Sequence, residues 1–165
     1  MIPEIELKSP QEIKQFQEDQ LKNLLQYLKD NSTYYQRVFN RQNIQISDIN
    51  TLEDLQKIPV TTKEDLHTYN DDFICVEPSK IIDYVTTSGT TGSPVFFGLS
   101  DKDLERLAYN EAISFACSKV TKNDTIQLMT TIDRRFLAGL AYFLGARKLG
   151  AGIIRVGAGI PELQW

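Results

Sequence analysis

The sequence predicts an α/β protein: a helical N-terminal region, a β-hairpin bearing a Gly- and Thr-rich loop, and a parallel βαβ unit. Three observations carry that class. Apolar residues recur at the helical period through the first part of the chain. A polar stretch at 86–94 joins two short apolar runs, 81–85 and 95–97, and so reads as a loop between strands. Beyond it, two strand-like segments, 125–130 and 152–156, flank a helical one.

The elements follow in order. Ser9-Pro10-Gln11-Glu12 opens the first helix, because Ser9 can cap it, Pro10 suits a first turn and Glu12 completes a capping box. Ile13, Phe16, Leu21, Leu24, Leu25 and Leu28 then share one face, with Gln and Lys on the other. Asp30-Asn31-Ser32 ends this helix and caps the next, in which Tyr34, Tyr35, Val38 and Phe39 supply the buried side as packing residues. Thr51-x-x-Asp54 and Thr61-x-x-Glu64 mark two further helix starts. Pro59 stops the first of them, since it has no N–H and holds Ile58 extended. Lys63, Glu64 and Asp65 read as a solvated helix start.

After the hairpin, Ser100-Asp101-Lys102-Asp103 caps a helix whose inner face is Leu104, Leu107, Ala108, Ala112 and Phe115. The strand at 125–130, a helix at 136–149 and the strand at 152–156 have the length and order of a βαβ unit with parallel strands. Ligands in such sheets bind beyond the carboxyl ends of the strands, which places 130–136 and 157–159 at one rim.

Composition narrows the function classes. With 41% hydrophobic and 24% charged residues, the 165-residue chain can bury a core and carries no signature of disorder. A net charge of −4 leaves no basic stripe for nucleic acid or an anionic membrane. The N-terminus lacks a signal-peptide pattern and no apolar run approaches a membrane span, so a cytoplasmic protein is expected. Cys75 and Cys117 are far apart and His67 is the single histidine, so metal-ligand spacing is absent and no metal site is expected. Both cysteines read as small buried apolar residues. His67 has no partner triad in view.

Within 86–94, Ser88, Gly89, Thr90, Thr91, Gly92 and Ser93 form the segment of most chemical interest. Two glycines permit close backbone approach, and hydroxyls and free N–H groups can converge on an anion such as a polyphosphate. A hairpin turn whose Thr and Ser side chains bond their own backbone is the other reading. A Walker A loop is excluded, because no Lys-Ser or Lys-Thr follows the second glycine.

The string Thr87-Ser88-Gly89-Thr90-Thr91-Gly92-x-Pro94 resembles the phosphate loop of the adenylate-forming (AMP-forming) synthetases. Tyr34-Tyr35-x-x-Val38-Phe39, Leu55-x-x-Ile58-Pro59-Val60-Thr61-x-Lys63-x-x-Leu66 and Gly139-Leu140-x-x-x-x-Gly145-Ala146-x-x-Leu149-Gly150 are similar, in that order, to the N-terminal part of the phenylacetate–CoA ligases. The resemblance covers nearly the whole chain. It implies ATP-dependent activation of an aryl acid, most simply phenylacetate, to an acyl-adenylate, followed by thioester formation with CoA. Ser88, Thr90 and Thr91 would donate side-chain hydrogen bonds to the ATP phosphates, with Gly89 and Gly92 bringing the main chain close and Mg²⁺ sharing the charge. Many members of that family carry a basic residue where this chain has Ser93, which bears on the strength of phosphate binding.

The same resemblance offers Phe136 and Gly139 as aryl-pocket residues, although Gly139 also reads as a glycine that permits close helix packing. Arg134-Arg135 could steer anions to that rim or be a solvated loop. The family's adenine, ribose and catalytic-lysine segments would lie beyond Trp165, so no catalytic residue is assigned. Residues 1–165 are expected to be the N-terminal part of the adenylation domain, with 1–70 a helical entry region, 71–165 the α/β portion and the C-terminal domain absent. Such a chain alone would turn over little. The alternative is a naturally short, non-catalytic chain that binds a partner subunit or nucleotide, and the resemblance also leaves room for a homodimer.

Overall fold

The structure, a computed structural model, describes residues 3–87 and 94–159. The described residues divide into two units, one up to Val76 and one from Glu77 onward.

In the first unit, helix α1 (Pro10–Asn31) begins at the expected capping box. The Ser9 N–H donates to Glu12 Oε2 at 2.9 Å, and the Glu12 N–H donates to Ser9 Oγ at 3.3 Å. Ser32 both ends α1 and starts α2 (Thr33–Arg41). Its N–H donates to the Leu28 carbonyl, and its hydroxyl accepts from the Tyr35 N–H while donating to the Asp72 carbonyl. These bonds offset the cost of burying the side chain completely.

Leu21, Leu25, Phe39 and Ile49 form the core, with Leu28, Val38 and Ile58 among the residues packed against it. The inner face of α1 is narrower than its apolar pattern. Leu21 and Leu25 are buried and Ile13 and Leu28 half-buried, but Phe16 and Leu24 are 46% and 52% exposed. Leu21, Leu25 and Leu28 follow the i, i+4, i+7 stripe, whereas Phe16 and Leu24 lie round the helix from it, beyond what the packed core covers.

The aromatic residues of α2 pack as expected: Tyr34 stacks on Phe73 with centroids 4.1 Å apart and meets Tyr35 edge-on at 5.3 Å. Thr62, not Thr61, caps α3 (Lys63–Thr68), by exchanging bonds with Asp65. The Thr61 hydroxyl is engaged elsewhere, 2.8 Å from the Tyr35 hydroxyl. Thr51 and Asp54 open a short 3₁₀ turn, Leu52–Lys57, that ends ahead of Pro59.

These turn and cap carboxylates make the fold acid-sensitive. The Ser9 backbone N–H lowers the Glu12 pKa, the Lys57 ammonium lowers that of Asp54, and the Thr62 hydroxyl lowers that of Asp65. A depressed folded-state pKa contributes stability above the unfolded value and loses it as pH falls through the folded one. The melting temperature is therefore expected to hold down to about pH 4 and to fall below it. Asp54→Asn should flatten part of that fall in a circular-dichroism melt, and a melting temperature that rises on acidification would refute the assignment.

In the second unit, β1 (Ile81–Thr86) and β2 (Phe96–Ser100) pair antiparallel, from Ile81 opposite Ser100 to Thr86 opposite Phe96. Helix α4 (Asp101–Cys117) follows at once, capped by Ser100, whose N–H donates to Asp103 Oδ2 at 3.0 Å. Strands β3 (Thr125–Leu128) and β4 (Gly152–Arg155) are parallel neighbours, with Leu128 opposite Arg155, and α5 (Leu137–Leu149) connects them. Ala108 and Ala112 on α4 and Ala141, Gly145 and Ala146 on α5 are buried. Small residues let these helices approach closely: a Cβ on Gly145 would lie 2.3 Å from the Glu111 Cβ.

Gly150, at φ 86°, ends α5 in the left-handed conformation, with its N–H donating to the Ala146 carbonyl. Cys117 is exposed rather than buried, because it ends α4, and Cys75 is half-buried; neither forms a disulfide. Among the described residues, no helix is long and apolar enough to cross a membrane.

Candidate functional site

The six residues expected to hold phosphate, Ser88, Gly89, Thr90, Thr91, Gly92 and Ser93, lie outside the described residues. Their flanks are described. The Thr87 N–H donates to the Val95 carbonyl at 3.0 Å, and the Val95 N–H donates to the Thr87 hydroxyl at 3.0 Å, so the two ends of the loop are tied together. Val85 and Val95, each 2% exposed, anchor them in the interior. Alternation explains this: Val85 and Val95 point inward, while Phe96, next to Val95, is 45% exposed.

The segment 130–136 lies against the same hairpin end. The Thr86 N–H donates to the Arg135 carbonyl at 3.1 Å, and Thr86 forms a parallel bridge with Phe136. The Arg135 guanidinium sits over the Phe96 ring, 5.4 Å from its centroid. Within the segment, the Phe136 N–H donates to the Asp133 carbonyl, and the Thr131 hydroxyl donates to the Asp133 carboxylate. Arg134 and Arg135 both have positive φ, 58° and 61°, a conformation that costs a non-glycine residue roughly 1 kcal/mol.

Phe136 is half-buried and precedes the first turn of α5. Gly139 is buried in that helix, where a Cβ would stand 1.7 Å from the Thr131 carbonyl oxygen. Of its two readings, close packing is therefore the contact seen here, with the helix seated on the backbone of 131–132. Residues 130–134 and 155–158 line a groove of about 660 Å³ at the carboxyl ends of β3 and β4. The two rim segments expected from strand order are thus brought together. Val156 and Gly157 close its base by donating N–H bonds to the Leu128 carbonyl.

Arg155, on the groove, is not singled out by sequence reasoning; as the last residue of β4 it sits where strand-end ligands bind. Its guanidinium lies 5.5 Å from the Phe143 ring centroid. Arg134 has an ion pair with Asp133 at 3.8 Å, weak because both side chains are exposed. His67, by contrast, is an exposed residue of α3. The groove brings Thr130 and Thr131 together with Arg134 and Arg155, a hydroxyl and guanidinium set that can meet an anion.

A hairpin leading into a helix and a parallel βαβ unit, with 130–136 laced to the loop flank, is the fold of the N-terminal domain of the adenylate-forming CoA ligases. A 2-hydroxyisobutyryl-CoA ligase, solved with its acyl-AMP and CoA in the thioesterification state, superposes with a TM-score of 0.85 at 26% identity, over 94% of this chain and 34% of that one. An open conformation of that enzyme, also with acyl-AMP and CoA, gives a TM-score of 0.85 at 24% identity, over 93% and 36%. In sequence, the chain is 32% identical over 161 residues to a phenylacetate–CoA ligase of Escherichia coli K12, and 30% identical over 161 residues to one of Aromatoleum evansii. Those matches cover 97% of this chain and 37% and 36% of the relatives. No family model matches the chain. The chain is thus similar to phenylacetate–CoA ligases over nearly its whole length, and it spans a little over a third of theirs.

Proposed function

We propose that this chain supplies the phosphate loop and part of the acid pocket of an AMP-forming acid–CoA ligase that acts on an aryl acid, most simply phenylacetate. The reaction joins the acid carboxylate to the α-phosphorus of ATP with loss of pyrophosphate, then transfers the acyl group to the CoA thiol. Ser88, Thr90 and Thr91 donate to the β- and γ-phosphates, Gly89 and Gly92 admit the main chain to them, and Ser93 completes the loop. Phe136 and Gly139 contribute to the wall of the aryl pocket. Mg²⁺ enters with ATP as the substrate complex and shares the phosphate charge. The two units are read as parts of a single adenylation domain in a cytoplasmic enzyme.

The observation that best supports this reading is the tie between loop and pocket. The ends of 88–93 are bound to each other through Thr87 and Val95, and the adjoining Thr86 is bound to Arg135 and bridged to Phe136. A site that must bring a triphosphate and a carboxylate together, although they repel, needs that connection. Phenylacetate-dependent exchange of pyrophosphate into ATP, measured on the protein as its source cell makes it, tests the reading. Gly92→Val is expected to lower exchange about a hundredfold by pushing the main chain off the phosphates. The reading fails if no aryl acid supports exchange, or if the variant exchanges at the unaltered rate.

A further inference from the structure

The groove between 130–134 and 155–158 carries a surplus of positive charge that the proposed wall residues Phe136 and Gly139, which do not line it, leave unused. Two arginines line it, Arg134 beyond the end of β3 and Arg155 at the end of β4, and among the described residues of its lining Asp133 is the only carboxylate. That carboxylate already accepts the Thr131 hydroxyl and lies 3.8 Å from Arg134. Among the described residues Arg155 has no salt-bridge partner; the Phe143 ring beneath its guanidinium is its support. Thr130 and Thr131 add hydroxyls, and Ile132, Val156 and Ala158 add apolar surface.

Backbone strain is a second, independent observation. Arg134 and Arg135 are consecutive left-handed residues, a conformation glycine adopts without cost. The chain holds that geometry by the Thr131–Asp133 bond and by the Thr86–Arg135 bond, and it places a cation at the strained position next to the groove.

The geometry points to a specificity role: Arg134 and Arg155 read a second anionic group on the acid, so the substrate class is an aryl acid carrying an additional carboxylate. This rests on the proposed ligase reading and narrows its substrate. With the ring at Phe136 and Gly139, the second carboxylate extends into the groove and meets the arginines.

The test is direct binding of para-carboxyphenylacetate and of phenylacetate to the full chain by titration calorimetry, with Arg134→Gly and Arg155→Gln beside the unaltered protein. The dicarboxylate is expected to bind about tenfold more tightly, and each variant to lose most of that preference. Arg134→Gly should also melt at a higher temperature, since glycine relieves the strain, so its loss of preference cannot be ascribed to unfolding. Equal affinity for the two acids, no binding of either, or a preference that survives both substitutions overturns the inference. So does a result in which Arg134→Gly weakens ATP but leaves the ratio between the acids unchanged, because the anion read would then be a nucleotide phosphate. Failure of the ligase reading looks different: the binding preference persists while no acid supports pyrophosphate exchange.

Discussion

Gly139→Val is expected to destabilise the second unit by about 3 kcal/mol or more and to lower its midpoint in a urea titration accordingly. The added Cβ would meet the Thr131 carbonyl oxygen at 1.7 Å and its carbon at 2.7 Å. Both are main-chain atoms and cannot rotate aside as a side-chain tip could. Either α5 lifts from 131–132 or the segment 130–133 is displaced. Displacement would pull on the Thr86–Arg135 bond, so any activity that depends on the loop should fall with stability. Gly139→Ala should show the same defect, since its Cβ is the clashing atom. A valine variant with an unchanged urea midpoint would show that the contact between α5 and the 131–132 backbone is not the constraint argued here.

Ile49→Ala is expected to cost the first unit about 3 kcal/mol. Ile49 is 1% exposed and belongs to the core formed by Leu21, Leu25 and Phe39, so truncation leaves a cavity between α1, α2 and the 44–58 stretch. The readout is hydrogen exchange: amides in α1 and α2 whose exchange requires opening of the whole unit should lose protection about a hundredfold. Unchanged protection there would mean that the core around Ile49 closes over the missing atoms or contributes little.

Much of the architecture is legible in local sequence because its signals are local. Ser9 with Glu12, Ser32, and Ser100 with Asp103 each satisfy exposed N–H groups within one helical turn, and each caps a helix as read. The misreadings are of another kind. Thr61 and Thr62 are equally good caps by composition; the choice of Thr62 came from Tyr35, distant in sequence, whose hydroxyl engages Thr61. Phe16 and Leu24 are as apolar as Leu21 and Leu25, but the packed core spans only part of the apolar arc of α1. Cys117 was expected inside and lies exposed at a helix end.

The candidate site divides in the same way. The order of hairpin, helix and parallel βαβ unit, and the placement of 130–136 and 157–159 near one rim, follow from hydrophobic periodicity and from the chemistry of short connections, both properties of the chain itself. Tertiary structure alone decided that Gly139 is seated on the Thr131 carbonyl, that Thr86 is bound to Arg135, and that Arg155 shares a groove with Arg134. The physical reason is range: a cap or a turn is satisfied within a few residues, whereas a backbone contact, a strained φ or a shared groove depends on which distant segment fills the neighbouring space.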